Sequence, residues 1–234
     1  MLGCISAKRK RWSSIPTHFE DFVAADYFQR KRPLTILLHS CSSVIASSLA
    51  NLFSERCRPP IKLLVLELRP KFEGVAFARA LNAKINVSLD TPPVTVEIAT
   101  DSSVSFFSKR ADLYLLAADR MYPSGDVSNK IGCHFAALSI RHHCNGKTVV
   151  VSTTDKVCGA EERGTGFEEN NDDEVTSAWG EKNEFTVTRN IYFETVPNGL
   201  IDGYLTEKRL VDLLDINVVS EEQSLKEMAA FDGI

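Results

Sequence analysis

Hydrophobic and polar positions alternate along this chain in two different rhythms. LTILL (34–38), IKLLVLE (61–67) and KTVVVST (147–153) are short, nearly continuous apolar runs, and residues 93–99 and 112–117 are similar in length. Runs of that length, bounded by turn residues or charge, suit strands buried on both faces. Between them, residues 43–53, 73–83, 102–110 and 131–143 carry apolar side chains at helical spacing. Two further helices are expected, at 18–30 through Phe19, Phe22, Val23 and Phe28, and at 220–231 at the end. Strands that alternate with helices in this way imply right-handed crossovers and a parallel sheet covered on both faces. The expected fold is α/β, a Rossmann-like doubly wound parallel sheet in a single domain.

Residues 161–184 break the rhythm, with nine Asp or Glu against two Lys or Arg and with Gly and Asn between them. The composition predicts a disordered acidic insertion at about 159–186, inside the domain. Residues 1–31 are expected to form a tail and one short helix, with the Rossmann-like domain over 32–234. With 234 residues, 44% of them hydrophobic, the chain can bury a core. No apolar run approaches the roughly 18 residues that a membrane span needs. A net charge of -4 gives no reason to expect nucleic acid as a partner. The six cysteines show no CxxC pair or regular spacing, which predicts reduced thiols in a cytoplasmic protein. The basic start MLGCISAKRKRW has no apolar core after it, so it is no secretory signal; it is a solvated tail or a nuclear address.

The stretch AADRMYPSGDVSNKIG (117–132) concentrates the candidate chemistry. Asp119 projects from the end of a buried strand, where desolvation can raise a carboxyl toward the range of a general base. It can equally cap the turn after it. Asn129 and Lys130 are expected at a helix start, where backbone N–H groups favour an anion. No GxGxxG stands after the first strand, so no nicotinamide or flavin cofactor is indicated. His134, His142 and His143 with Cys133 and Cys144 do not complete a four-ligand metal set.

This stretch resembles the GADxIxxNGDxxNKIG signature of the translation initiation factor 2B alpha/beta/delta family. That family also holds the isomerases of methylthioribose 1-phosphate and ribose 1,5-bisphosphate. LTILLHSCSS (34–43), LELRPKFEG (66–74) and RNIYFETVPNGLIDGYLTEKR (189–209) resemble further family segments in the same order. The resemblance implies a NagB/RpiA/CoA-transferase-like architecture without a cofactor. It also implies a phosphorylated sugar or nucleotide as ligand, and association with itself or with related subunits.

By the resemblance, Asp119 falls on the catalytic aspartate of the isomerases. Their catalytic cysteine comes directly after the histidine of a THC motif, whereas this chain has His39, Ser40 and Cys41. In direct register Ser40 takes the place of the cysteine, and Cys41 lies one residue later, either within reach of the site or as an ordinary half-buried thiol. Asn129 and Lys130 match the NK of the signature and Lys156 the lysine of an ETYKF segment, all three as phosphate contacts. The alternative for Lys156 is a solvated surface lysine. Glu67 and Arg69 match an ESRP or ETRP motif, with a structural role expected. Family members carry a helical domain ahead of the sheet, and only about thirty residues precede the first strand here, so most of it is expected to be missing. Two readings stand: a sugar-phosphate isomerase, or a non-catalytic protein like a regulatory subunit of the exchange factor.

Overall fold

A computed structural model describes residues 13–85, 90–143, 146–160, 168–177 and 185–231. The first helix, α1 (Ile15–Tyr27), carries Pro16 in its first turn, where a fixed φ suits it. It lies three residues ahead of the expected 18–30, because its inward stripe is Ile15, Phe19, Val23 and Tyr27 rather than one that includes Phe28. These four side chains belong to the main core cluster and are not part of a loose tail.

The expected alternation is present: β1 (Leu34–Leu38), α2 (Ser43–Phe53), β2 (Ile61–Leu66), α3 (Glu73–Asn82), β3 (Val94–Ala99), α4 (Val104–Ser108) and β4 (Leu113–Leu116). After an antiparallel hairpin, β5 (Arg120–Met121) and β6 (Val127–Lys130), come α5 (Cys133–His143) and β7 (Lys147–Val151). The chain closes with α6 (Asp173–Thr176), β8 (Phe193–Val196), β9 (Gly203–Leu205), β10 (Leu210–Val211) and α7 (Leu213–Phe231).

Seven strands form the main sheet in the order β10-β9-β7-β4-β1-β2-β3. All its neighbours are parallel except β9 and β10. The alternation of side chains across a strand divides the interior in two. Leu34, Ile36 and Leu38 face the cluster with α1, α2 and α3, while Leu37, Leu64, Tyr114 and Val150 face the one with α4, α5 and the start of α7. The near-continuous apolar runs of β1, β2 and β4 are the direct result, since neither face of a central strand meets water.

The expected parallel sheet has a companion that the apolar rhythm does not announce. β5, β6 and β8 form a second, antiparallel sheet of three strands beside the first. The hairpin turns through Pro123 to Asp126, with Gly125 at φ 82. The chain leaves that turn as a strand, not a helix, because Met121 and Val127 pair across the hairpin and are fully buried. The last helix begins seven residues earlier than expected. Asp212 accepts from the Asp215 N–H at 3.1 Å and Asp215 from the Asp212 N–H at 3.3 Å, a reciprocal cap. Of the acidic insertion, 161–167 and 178–184 lie outside the described residues. The described part, 168–177, is held against residues 190–192 instead of hanging free.

Asp112 joins the first helix to the sheet. Its carboxylate, 2% exposed, accepts from Arg30 at 2.9 Å, from Arg32 and from the buried Thr35 N–H at 3.0 Å. Asp112→Ala leaves that N–H unpaired, and a buried orphan donor costs about 1–3 kcal/mol. Denaturant unfolding is expected to show a loss of that size; a change within about 0.5 kcal/mol, the usual span for inert surface positions, would refute the assignment.

Candidate functional site

Parallel strands deliver their outgoing loops to one edge of the sheet, and the candidate residues gather there. The loop after β1 holds His39, Ser40 and Cys41. Ser40 is buried, and its Oγ accepts from the Ala117 N–H at 3.4 Å. Asp119 is two residues further on, no more than about 7 Å of chain. Cys41 is exposed, and Ser42 beyond it caps α2 by accepting from the Ile45 N–H at 3.3 Å. The loop after β2 carries Leu68 and Phe72 at positive φ and a cis Arg69–Pro70 bond. Asp101, past β3, clasps it by accepting from the N–H groups of Leu68 and Arg69 at 2.9 and 2.7 Å. The Arg69 guanidinium lies over the Phe72 ring at 4.7 Å.

His39 ties these loops together, with Nε2 3.5 Å from Asp101 and its carbonyl accepting from Cys133 Sγ at 3.4 Å. A Cβ on Gly132, whose φ is +96, would stand 2.2 Å from the His39 ring. Glycine is needed there on both counts. Burial works to raise the Asp101 carboxyl, but His39 and the two backbone N–H groups hold it below its ordinary value.

Asp119 is anchored by its own N–H, which donates to the Ser128 carbonyl at 2.9 Å. The residue is exposed, yet enough protein surrounds its carboxyl that burial raises its pKa, against the pull of Lys156 and Lys130. Burial, and then nearby Glu73, also push the Cys41 thiol up. A thiol so placed keeps its proton at neutral pH. Lys156, exposed in the turn after β7, is close enough to act on Asp119.

Asn129 and Lys130 are not at a helix start. They close β6, Asn129 donating from Nδ2 to the Ala117 carbonyl at 2.6 Å and accepting at Oδ1 from the Lys130 N–H at 2.8 Å. Lys130 is 7% exposed, its ammonium 2.7 Å from Glu73 and 4.5 Å above the Tyr192 ring. The N–H groups at the start of α5 are met by the protein's own Glu194, whose Oε1 accepts from Gly132 at 2.6 Å and from His134 at 2.9 Å. Sequence reasoning alone does not find Glu73, Glu194, Tyr192 or the His39–Asp101 pair. An acidic residue in the first turn of α3 is the available signal for Glu73; nothing in the strand residues around Glu194 marks it.

A family model for the initiation factor 2 subunit family matches residues 17–211. The chain belongs to the initiation factor 2 subunit family. Within it, a methylthioribose-1-phosphate isomerase of Chlorobaculum tepidum is 35% identical over 156 residues, covering 64% of this chain and 42% of that protein. A putative translation initiation factor eIF-2B subunit 2-like protein of Pyrococcus furiosus is 32% identical over 104 residues, covering 44% of this chain and 34% of its own. The chain thus spans less than half the length of these curated relatives. The solved translation initiation factor eIF-2B of Pyrococcus horikoshii superposes with a TM-score of 0.70 at 20% identity, covering 88% of this chain and 66% of that one. That likeness shows the mixed α/β fold with its mostly parallel central sheet. It carries no activity with it.

Proposed function

We propose that this initiation factor 2 family member is an aldose-ketose isomerase of a phosphorylated pentose, ribose 1,5-bisphosphate or methylthioribose 1-phosphate. Asp119 takes the proton, Cys41 returns one, and Asn129, Lys130 and Lys156 face the phosphate. The observation that carries the reading is a carboxyl and a thiol on loops delivered to the same edge of the sheet, after β4 and after β1. Burial raises the Asp119 carboxyl against the pull of Lys156 and Lys130, and burial and then Glu73 raise the Cys41 thiol. Proton transfer between adjacent carbons requires a base and an acid, tasks that a carboxylate and a thiol can divide. Ser40, buried with its Oγ turned to a backbone N–H, is the weaker candidate for the acid.

A second reading, a non-catalytic protein like a regulatory subunit, draws on Glu73 and Glu194. These carboxylates already sit where a phosphate would meet Lys130 and the start of α5. Exposed Phe106, Phe135 and Leu138 on α4 and α5 supply apolar surface for association with a copy or a related subunit. No helix among the described residues is long and apolar enough to cross a membrane.

A coupled assay of the purified chain with both sugar phosphates, alongside light scattering at micromolar concentration, separates the two. The isomerase reading expects turnover of at least one substrate. Association without turnover, and without a thermal shift from either ligand, would overturn it in favour of the second.

A further inference from the structure

Glu174 lies in the acidic segment that composition marks as loose, yet its carboxylate is gripped by three donors from elsewhere. Lys71 Nζ stands 3.1 Å from Oε1, while Asn190 Nδ2 donates to Oε2 at 3.1 Å and the Tyr192 hydroxyl donates to the same oxygen. An ammonium, an amide and a phenol converging on two oxygens make an anion cradle, the arrangement by which proteins hold carboxylates and phosphates. Asn190 and Tyr192 are two apart in an extended segment, so both side chains reach the same side. Lys71 comes from the loop between β2 and α3.

The segment is strapped along this edge. The Asn170 N–H donates to the Asn190 carbonyl at 2.9 Å, Asn190 Nδ2 also donates to the Asn171 carbonyl at 2.6 Å, and Glu169 bridges Ile191 and pairs with Arg189. Residues 168–177 contain five carboxylates and no Lys or Arg, while the rim beneath offers Lys71, Arg69 and Arg189. Val175, next to Glu174, forms one wall of a cleft of about 330 Å³ that Arg69, Ile131 and Arg189 also line.

The Tyr192 ring links the cradle to the candidate site. Lys71 lies 5.1 Å from its centroid and Lys130 4.5 Å, so the grip on the hydroxyl also fixes the ring against Lys130.

We propose that Glu174 is an intramolecular stand-in for an incoming phosphate, and that the strap 168–177 thereby holds the site closed until a phosphorylated ligand displaces it. The inference rests on the reading of this site as one that takes a phosphate. Displacement frees Lys71, lets Tyr192 leave Lys130 and opens the cleft beside Ile131. A ligand that must compete with a tethered anion binds more weakly by the fraction of molecules in which the tether is released.

The test titrates the full chain with inorganic phosphate by calorimetry, as wild type, Glu174→Gln and Glu174→Ala, with hydrogen exchange over 168–177 measured in each. Both variants are expected to bind phosphate more tightly, by about 5- to 150-fold, the usual range for coupled binding events, and to exchange faster at Asn170. A wild type that binds no phosphate beside variants that do would support the proposal equally. Unchanged exchange would overturn it by showing that Glu174 does not hold the strap. Faster exchange with unchanged affinity, or no binding by any of the three proteins, would overturn it by showing that the cradle guards no phosphate site. Tighter phosphate binding without sugar-phosphate turnover would leave this closure standing while the isomerase reading fails.

Discussion

Asp119→Asn is expected to lower isomerase turnover by about 10²- to 10⁴-fold, the usual cost of removing a general acid or base. Its melting temperature should stay near that of the wild type. The contact that anchors residue 119 is its backbone N–H to the Ser128 carbonyl, which asparagine keeps, and the lost charge is one that burial disfavours. Cys41→Ser should fall by a comparable factor, because a hydroxyl is a far weaker acid than a thiol. Ser40→Cys should gain nothing, since that side chain is buried against Ala117.

The pH profile carries the same assignment. A base acts when deprotonated, so kcat/KM should drop as pH falls through the Asp119 pKa. Burial has raised that pKa, so the acid limb should lie above the ordinary carboxylate value of about 4. Lys156 pulls in the opposite direction, and Lys156→Met should move the limb further up. A wild-type rate in the Asp119→Asn variant, or an acid limb that Lys156→Met leaves in place, would remove Asp119 from the role.

Gly74→Ala should be the most damaging methyl addition among the described glycines. A Cβ there would lie 1.8 Å from the Leu66 carbonyl oxygen and 2.9 Å from two backbone carbons of β2 and the loop after it. No side chain can turn aside to relieve contacts with backbone, so the first turn of α3 must lift off the strand. Overpacking costs about 1–3 kcal/mol, and a forced backbone shift puts this case at the upper end. For a domain of this size, about 3 kcal/mol corresponds to a fall of roughly 6–12 °C in Tm. The displaced turn carries Glu73, so the variant should also loosen its pairing with Lys130. Gly199→Ala is the control: nothing lies within 4 Å of its Cβ position, and its Tm should match the wild type. Equal melting of the two variants would show that α3 does not press on β2 as described.

The main sheet was legible because a strand buried on both faces must be apolar at nearly every position, as β1 is from Leu34 to Leu38. The second sheet was not, because β5 is two residues long and β6 four, too short for any period to declare itself. That gap misplaced Asn129 and Lys130: the helical spacing of 131–143 put them at a helix start, and the buried Val127 made a strand. The start of α7 was legible in principle. Asp212 and Asp215 have the spacing of a reciprocal cap, but the apolar periodicity beyond them points to a later start. Glu194 left no local trace, since its partners Gly132 and His134 are some sixty residues away. Long-range polar contacts of this kind are set by the fold, which must exist before they can be read.

The two margins of the main sheet bear on how this protein stays separate from its neighbours in a crowded solution. At one margin β10 is two residues long and antiparallel, too short a ribbon for a foreign strand to extend. At the other, β3 carries Glu97, whose carboxylate is held by Arg110 at 3.0 and 2.7 Å and by Lys62 at 2.9 Å. Those cations hold the acid down to a pKa of about 2, so it remains ionised through any ordinary acid stress. A second chain adding to that margin would have to strip water from three fixed charges. That cost disfavours the edge-to-edge pairing by which sheets grow into fibrils.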